Sequence, residues 1–197
     1  MKIEANLVKE LRLKTGAGMM DCKNALLKSN GSLDDAVDHL RKAGITKAEK
    51  KGLRQTKEGL IYSYIHAGSR LGVLLEINCE TDFVAKTDGF MELAQNISMQ
   101  IAATNPIALD ISSIDKDVLA REKEILKEHA KSEGKPDHII EKMVEGRLQK
   151  FYQESCLLEQ TFIKDPDKKV KDLLTESIAT LGENISINRY TRFSIGE

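Results

Sequence analysis

The chain is 197 residues long, 31% of them charged, with a formal net charge of -1. That balance leaves no basic surplus to neutralise phosphates, so nucleic acid is not expected as a partner. The opening residues MKIEANLVKELRLK hold no apolar leader region and no later run approaches a membrane span, so the sequence reads as cytoplasmic, with no membrane partner.

In chain order, residues 1–44 read as three short helices. Leu7, Val8 and Leu11 form an apolar stripe that Gly16 ends. Asp21 is the expected cap of a second helix, which carries Cys22, Ala25 and Leu26 and stops at Asn30-Gly31. A third starts at Ser32, with Asp35 as a capping-box variant, and is expected to bury Ala36, Val37 and Leu40 before Gly44. Helices this short are not stable singly, so the three are expected to pack together. Between the first two, the flexible glycines of Thr15-Gly16-Ala17-Gly18 present Met19 and Met20, either as adaptable contacts for a partner or as core. Residues 42–57 are basic without interleaved aromatics, which marks a solvated helix or linker rather than a nucleic-acid arm.

Residues 60–66 alternate as a strand, with Tyr62, Tyr64 and His66 on one face and Ile61 and Ile65 on the other. Gly68 and Ser69 turn it into a second, antiparallel strand ending at Cys79. A hairpin alone is marginal and requires a third strand and helical cover. Glu80, Thr81 and Asp82 end the strand and favour a helix N-cap. Phe83 follows on the connection, either as a core ring beside its capping Asp82 or as a tip held out to another protein. Phe90, Leu93, Ala94, Ile97 and Ile101 then recur at helical spacing, as far as Asn105-Pro106, and provide the cover.

Ile114, Val118, Ile125 and Leu126 mark a helix ending near Gly134-Lys135-Pro136. A second begins at Asp137 with Ile139, Ile140, Met143, Leu148 and Phe151 inward, and the two make a helical hairpin. A less regular stretch over 157–162 leads through Asp165-Pro166 to a helix carrying Val170, Leu173, Leu174, Ile178 and Leu181, closed by Gly182. Residues 185–195 alternate, Ile185, Ile187, Phe193 and Ile195 sharing a face with Arg189 and Thr191, and supply the third strand. The expected fold is α+β, with a three-helix module over 1–45, a basic linker over 46–57 and a core over 58–197. In that core a three-stranded antiparallel sheet is covered by helices and a helical hairpin.

Enzyme constellations do not stand out. The sequence has no GxxxxGKS/T, HExxH or GxSxG run, and Gly16-Ala17-Gly18 lacks the third glycine and preceding strand of a dinucleotide site. No catalytic or metal residues and no cofactor are assigned. Cys22, Cys79 and Cys156 are widely separated and fit reduced thiols. His66 and Cys79, on adjacent expected strands, are the nearest approach to a Cys-His nucleophile, and burial of Cys79 in the sheet is the plainer account.

The run Asn78-Cys79-Glu80-Thr81-Asp82-Phe83-Val84-Ala85-Lys86 resembles the signature of the bacterial elongation factor Ts family. LVKELRLKTGAGMMDCKNAL, GKPDHIIEKMVEGRLQKF and GENISINRYTRF resemble that family as well. The resemblance implies a non-enzymatic guanine-nucleotide exchange factor for elongation factor Tu, the GTPase that carries aminoacyl-tRNA to the ribosome. It implies a ubiquitin-associated-like N-terminal module whose Leu13, Met19 and Met20 face the partner. It also implies a wedge of Thr81, Asp82, Phe83 and Val84 that enters the GTPase domain and displaces its Mg²⁺. The single copy of the core, as in short family members, implies a homodimer in which 58–197 is also the dimerisation domain. The rival reading is a ubiquitin-associated-like adaptor, with the three-helix module binding a protein or peptide and the core as dimeriser.

Overall fold

The computed structural model describes residues 3–134 and 136–196, so Lys135, named above at the end of a hairpin helix, lies outside the described residues. Chain contacts group into two compact units. One combines Met1–Ile61, Glu76–Ala94 and Asp172–Asn188; the other combines Tyr62–Leu75, Gln95–Lys171 and Arg189–Glu197.

The chain begins with α1 (Ala5–Thr15), α2 (Met19–Lys28) and α3 (Leu33–Lys51). Val8, Leu11, Cys22, Ala25, Leu26 and Ala36 form one buried cluster, with Leu7, Val37 and Leu40 packed against it. Gly16 ends α1 as expected, at φ 66° with its N–H on the Arg12 carbonyl, a left-handed cap that glycine adopts without a Cβ clash. Ser32 caps α3 by accepting from the Asp35 N–H at 3.4 Å.

Two expectations here are corrected. Asp21 does not cap α2; Gly18 holds that position, and Asp21 lies in the first turn, where it pairs with Lys47 at 2.9 Å. Met19 and Met20 therefore stand on a helix rather than in a glycine loop. Nor does Gly44 stop α3, which runs through it to Lys51. A mid-helix glycine costs about 1 kcal/mol against alanine, too little to end a helix that packing supports. A Cβ at Gly44 would come within 3.4 Å of the Ala179 Cβ, so its bareness admits a close neighbour.

β1 (Glu58–Ile65) and β2 (Leu71–Cys79) follow as the expected hairpin, then α4 (Asp82–Ala85) and α5 (Asp88–Thr104). Phe90, Leu93, Ala94, Ile97 and Ile101 are all buried along α5, and Asn105 at φ 46° ends it. Next come α6 (Lys116–Ser132), α7 (Asp137–Ser155), β3 (Thr161–Phe162), β4 (Asp165–Lys169), α8 (Val170–Leu181) and β5 (Ile185–Ser194). The larger sheet has the order β1-β2-β5, with β2 central. Asn188 bonds Glu76 while the Ile195 N–H reaches the Arg70 carbonyl, so β5 runs antiparallel to β2.

In β2 the alternation is clean: Val73, Leu75, Ile77 and Cys79 are buried and Leu74 faces outward. In β5 it is not. Ile185 and Ile187 are buried as expected, but beyond them the phase shifts. Tyr190 and Arg192 turn inward to the Pro106 and Ala102 carbonyls, leaving Phe193 and Ile195 exposed, against the expectation that they share the face of Ile185.

α6 and α7 form the expected helical hairpin around Ala130, Ile140, Val144 and Leu148, with Leu119 and Leu126 against them. Ile139 is exposed instead of inward, because the seam of α7 follows 140, 144 and 148 at four-residue spacing; on α6 Val118 and Ile125 are exposed as well. The irregular stretch after α7 contains what the sequence reading missed, the small antiparallel β3–β4 sheet. Gln100 braces it, its side chain bonding Gln160, the Thr161 carbonyl and the Ile163 N–H.

Candidate partner-binding site

The Thr-Asp-Phe segment leaves the end of β2 as the single helical turn α4. Phe83 lies 79% exposed, whereas Ala85, two residues on, is buried. A turn of four residues is far below the length at which a helix holds itself, so its geometry has to be set by what surrounds it. Part of the surroundings is local. The Asp82 carboxylate accepts from Lys86 at 2.6 Å across the turn, a hydrogen bond that holds Asp82 below the usual carboxylate range and raises Lys86. The buried Cys79 thiol donates to the Thr81 carbonyl at 3.1 Å.

The rest comes from the connection between α8 and β5. One oxygen of the Glu183 carboxylate accepts the backbone N–H groups of Glu80 and Thr81 at 3.1 and 2.9 Å; the other accepts the Thr81 hydroxyl at 2.6 Å. Glu80 answers in the opposite direction, its carboxylate accepting the Asn184 N–H at 2.6 Å and both its oxygens lying 3.4 Å from Arg54. The Asn184 side chain closes the ring on the Arg54 carbonyl at 2.8 Å. Lys51 stands near both acids, and burial followed by the Arg54 charge pushes its ammonium below the usual value. Glu183 and Asn184 carry no local signal in the sequence that pairs them with Glu80 and Thr81, about a hundred residues earlier.

Of the other expected site residues, Leu13 is 81% exposed near the end of α1, and Met19 and Met20 are 49% and 64% exposed in the first turn of α2. The Cys-His pair gains no support. Cys79 is fully buried and its thiol is pushed up by burial and by Glu183, while the exposed His66 lies 2.9 Å from the Tyr64 hydroxyl. Among the described residues no group of three His, Cys, Asp or Glu is arranged for a metal ion, and no helix is long and apolar enough to cross a membrane.

Residues 6–197 match the family model described as Elongation factor TS. The chain is 58% identical over 195 residues to Elongation factor Ts of Syntrophomonas wolfei subsp. wolfei, covering 99% of this chain and 91% of that protein. It is 56% identical over 195 residues to Elongation factor Ts of Caldanaerobacter subterraneus subsp. tengcongensis, covering 99% and 98%. To Elongation factor Ts of Nitratidesulfovibrio vulgaris it is 54% identical over 196 residues, covering 100% and 98%.

Proposed function

The chain belongs to the elongation factor Ts family, which acts in translation elongation, and from that premise we propose that it is the guanine-nucleotide exchange factor for elongation factor Tu. Such a factor works by differential affinity. It must bind the nucleotide-free GTPase more tightly than the nucleotide-bound form, since equal affinity shifts nothing. The coupling is reciprocal, so incoming nucleotide expels the factor in turn. No covalent step and no cofactor enter this scheme, and its place of work is the cytoplasm.

The observation that carries the reading is Phe83, 79% exposed on a turn whose start is anchored by the Thr81 N–H and hydroxyl on the Glu183 carboxylate. A ring presented on an anchored turn can enter a pocket with little further ordering cost. In the proposed mechanism Phe83 inserts into the GTPase domain, with Thr81, Asp82 and Val84 beside it, and the Mg²⁺ bridging protein and phosphates is displaced. Losing that ion leaves phosphate charge uncompensated, and this adds to what the ring contributes. Leu13, Met19 and Met20 form a second contact, in a ubiquitin-associated-like module over 1–45 that residues 46–57 join to the core over 58–197. The exposed apolar residues Ile65, Leu74, Phe193 and Ile195 support a homodimer through the open sheet face.

The test is a chase of fluorescent GDP from elongation factor Tu with and without the purified chain. Acceleration of release is expected; a rate unchanged at saturating chain overturns the proposal.

A further inference from the structure

We infer that Glu183 is a positioning residue for the Phe83 tip, one that sets the angle at which the ring is presented without touching the partner. This rests on the exchange reading above and deepens it. Thr81 occupies the N-cap of α4, yet its side chain makes no cap hydrogen bond, because its hydroxyl is turned to the Glu183 carboxylate. The task of fixing the first turn has therefore passed from a local cap to a residue 102 positions away. Glu183 takes three donors on one charged group, and bonds to a carboxylate are roughly twice as strong as neutral ones. The Asp82–Lys86 pair cannot substitute, since both its side chains are half exposed or more and such pairs are weak. Without Glu183, Glu80 and Thr81 lose their shared anchor and the turn samples other orientations, of which a fraction is competent to insert.

The experiment is a double-mutant cycle in the GDP-release assay, using Glu183→Ala, Phe83→Ala and the pair, with amide hydrogen exchange at Glu80 and Thr81 read on the free proteins. Glu183→Ala is expected to lower the exchange rate about tenfold and to speed amide exchange at these two positions by a similar factor. The pair is expected to be no slower than Phe83→Ala alone, because a residue that acts through the ring has nothing left to act on. Glu183→Gln keeps the shape and an acceptor oxygen, so it keeps the assay informative if the alanine variant does not fold; an intermediate loss of about threefold is expected. If Phe83→Ala slows release while both Glu183 variants match wild type, the positioning role is overturned and the exchange reading stands. Losses that multiply in the pair overturn it too, since Glu183 would then act elsewhere. If Phe83→Ala releases GDP as fast as wild type, the tip reading falls and the inference falls with it.

Discussion

Replacing Phe83 with alanine separates what the ring does for the fold from what it does for a partner. The ring is 79% exposed, so its loss should change folding stability by no more than about 0.5 kcal/mol, a shift of about 1–2 °C in a chain this size. Full burial of a Phe side chain contributes about 1.5–3 kcal/mol. With 79% of that surface still open, about 1.2–2.4 kcal/mol remains to be gained in a partner's pocket. If that gain is realised when nucleotide leaves, the variant should release GDP from elongation factor Tu about 8- to 60-fold more slowly than wild type. Stopped-flow fluorescence of a labelled GDP, chased with unlabelled nucleotide at saturating factor, measures this directly, with a thermal melt alongside. Unchanged release from a natively folded variant would refute the wedge, and a melting point lowered by many degrees would refute the premise that the ring is free.

Met19→Ala combined with Met20→Ala should weaken binding to elongation factor Tu by at least about tenfold in titration calorimetry, given the area both leave open; an unchanged Kd removes them from the contact. Gly59→Ala should lower the melting point on the order of 10 °C. Gly59 sits at φ 148°, and a Cβ there would collide with the Ile77 carbonyl and lie 2.6 Å from the Asn78 Cα, so a loss under 2 °C would contradict the close approach of β1 to β2. Cys22, Cys79 and Cys156 should resist iodoacetamide in the native chain at pH 8 and all react in denaturant. Burial first, then Asp110 and Glu159, pushes the Cys156 thiol up to about 11, which leaves about one thiolate in a thousand at that pH; fast native labelling of any of the three would contradict its burial.

Where local chemistry decides, the sequence was readable. The stripe from Phe90 to Ile101 announces α5, and Gly16 ends α1 because its positive φ favours glycine. Gly44 was misleading because a glycine alone cannot report whether a helix stops or a neighbour comes close. β4 reads Asp-Pro-Asp-Lys-Lys, which has no β propensity, and pairs with β3 through tertiary context. At the candidate site the Thr-Asp-Phe run was visible as letters, but composition left Phe83 open between core and tip, and its exposure excludes the core. The Glu183 clasp was hidden because hydrogen bonds spanning a hundred residues leave no periodicity behind.

The change of phase in β5 divides one strand between two masters. Before Asn188 each hydrophobic side chain answers to the interior, so a polar replacement at Ile185 or Ile187 should be rejected by folding itself. Past Arg189 the apolar residues Phe193 and Ile195 look out to solvent, and their replacement is answerable to whatever meets that surface. Excising a single residue at the junction would reverse the second half, drawing Phe193 in and casting Arg192 out. The length of the strand is therefore as informative as its composition, and insertions or deletions there are a sharper instrument than substitutions for learning what the open face is for.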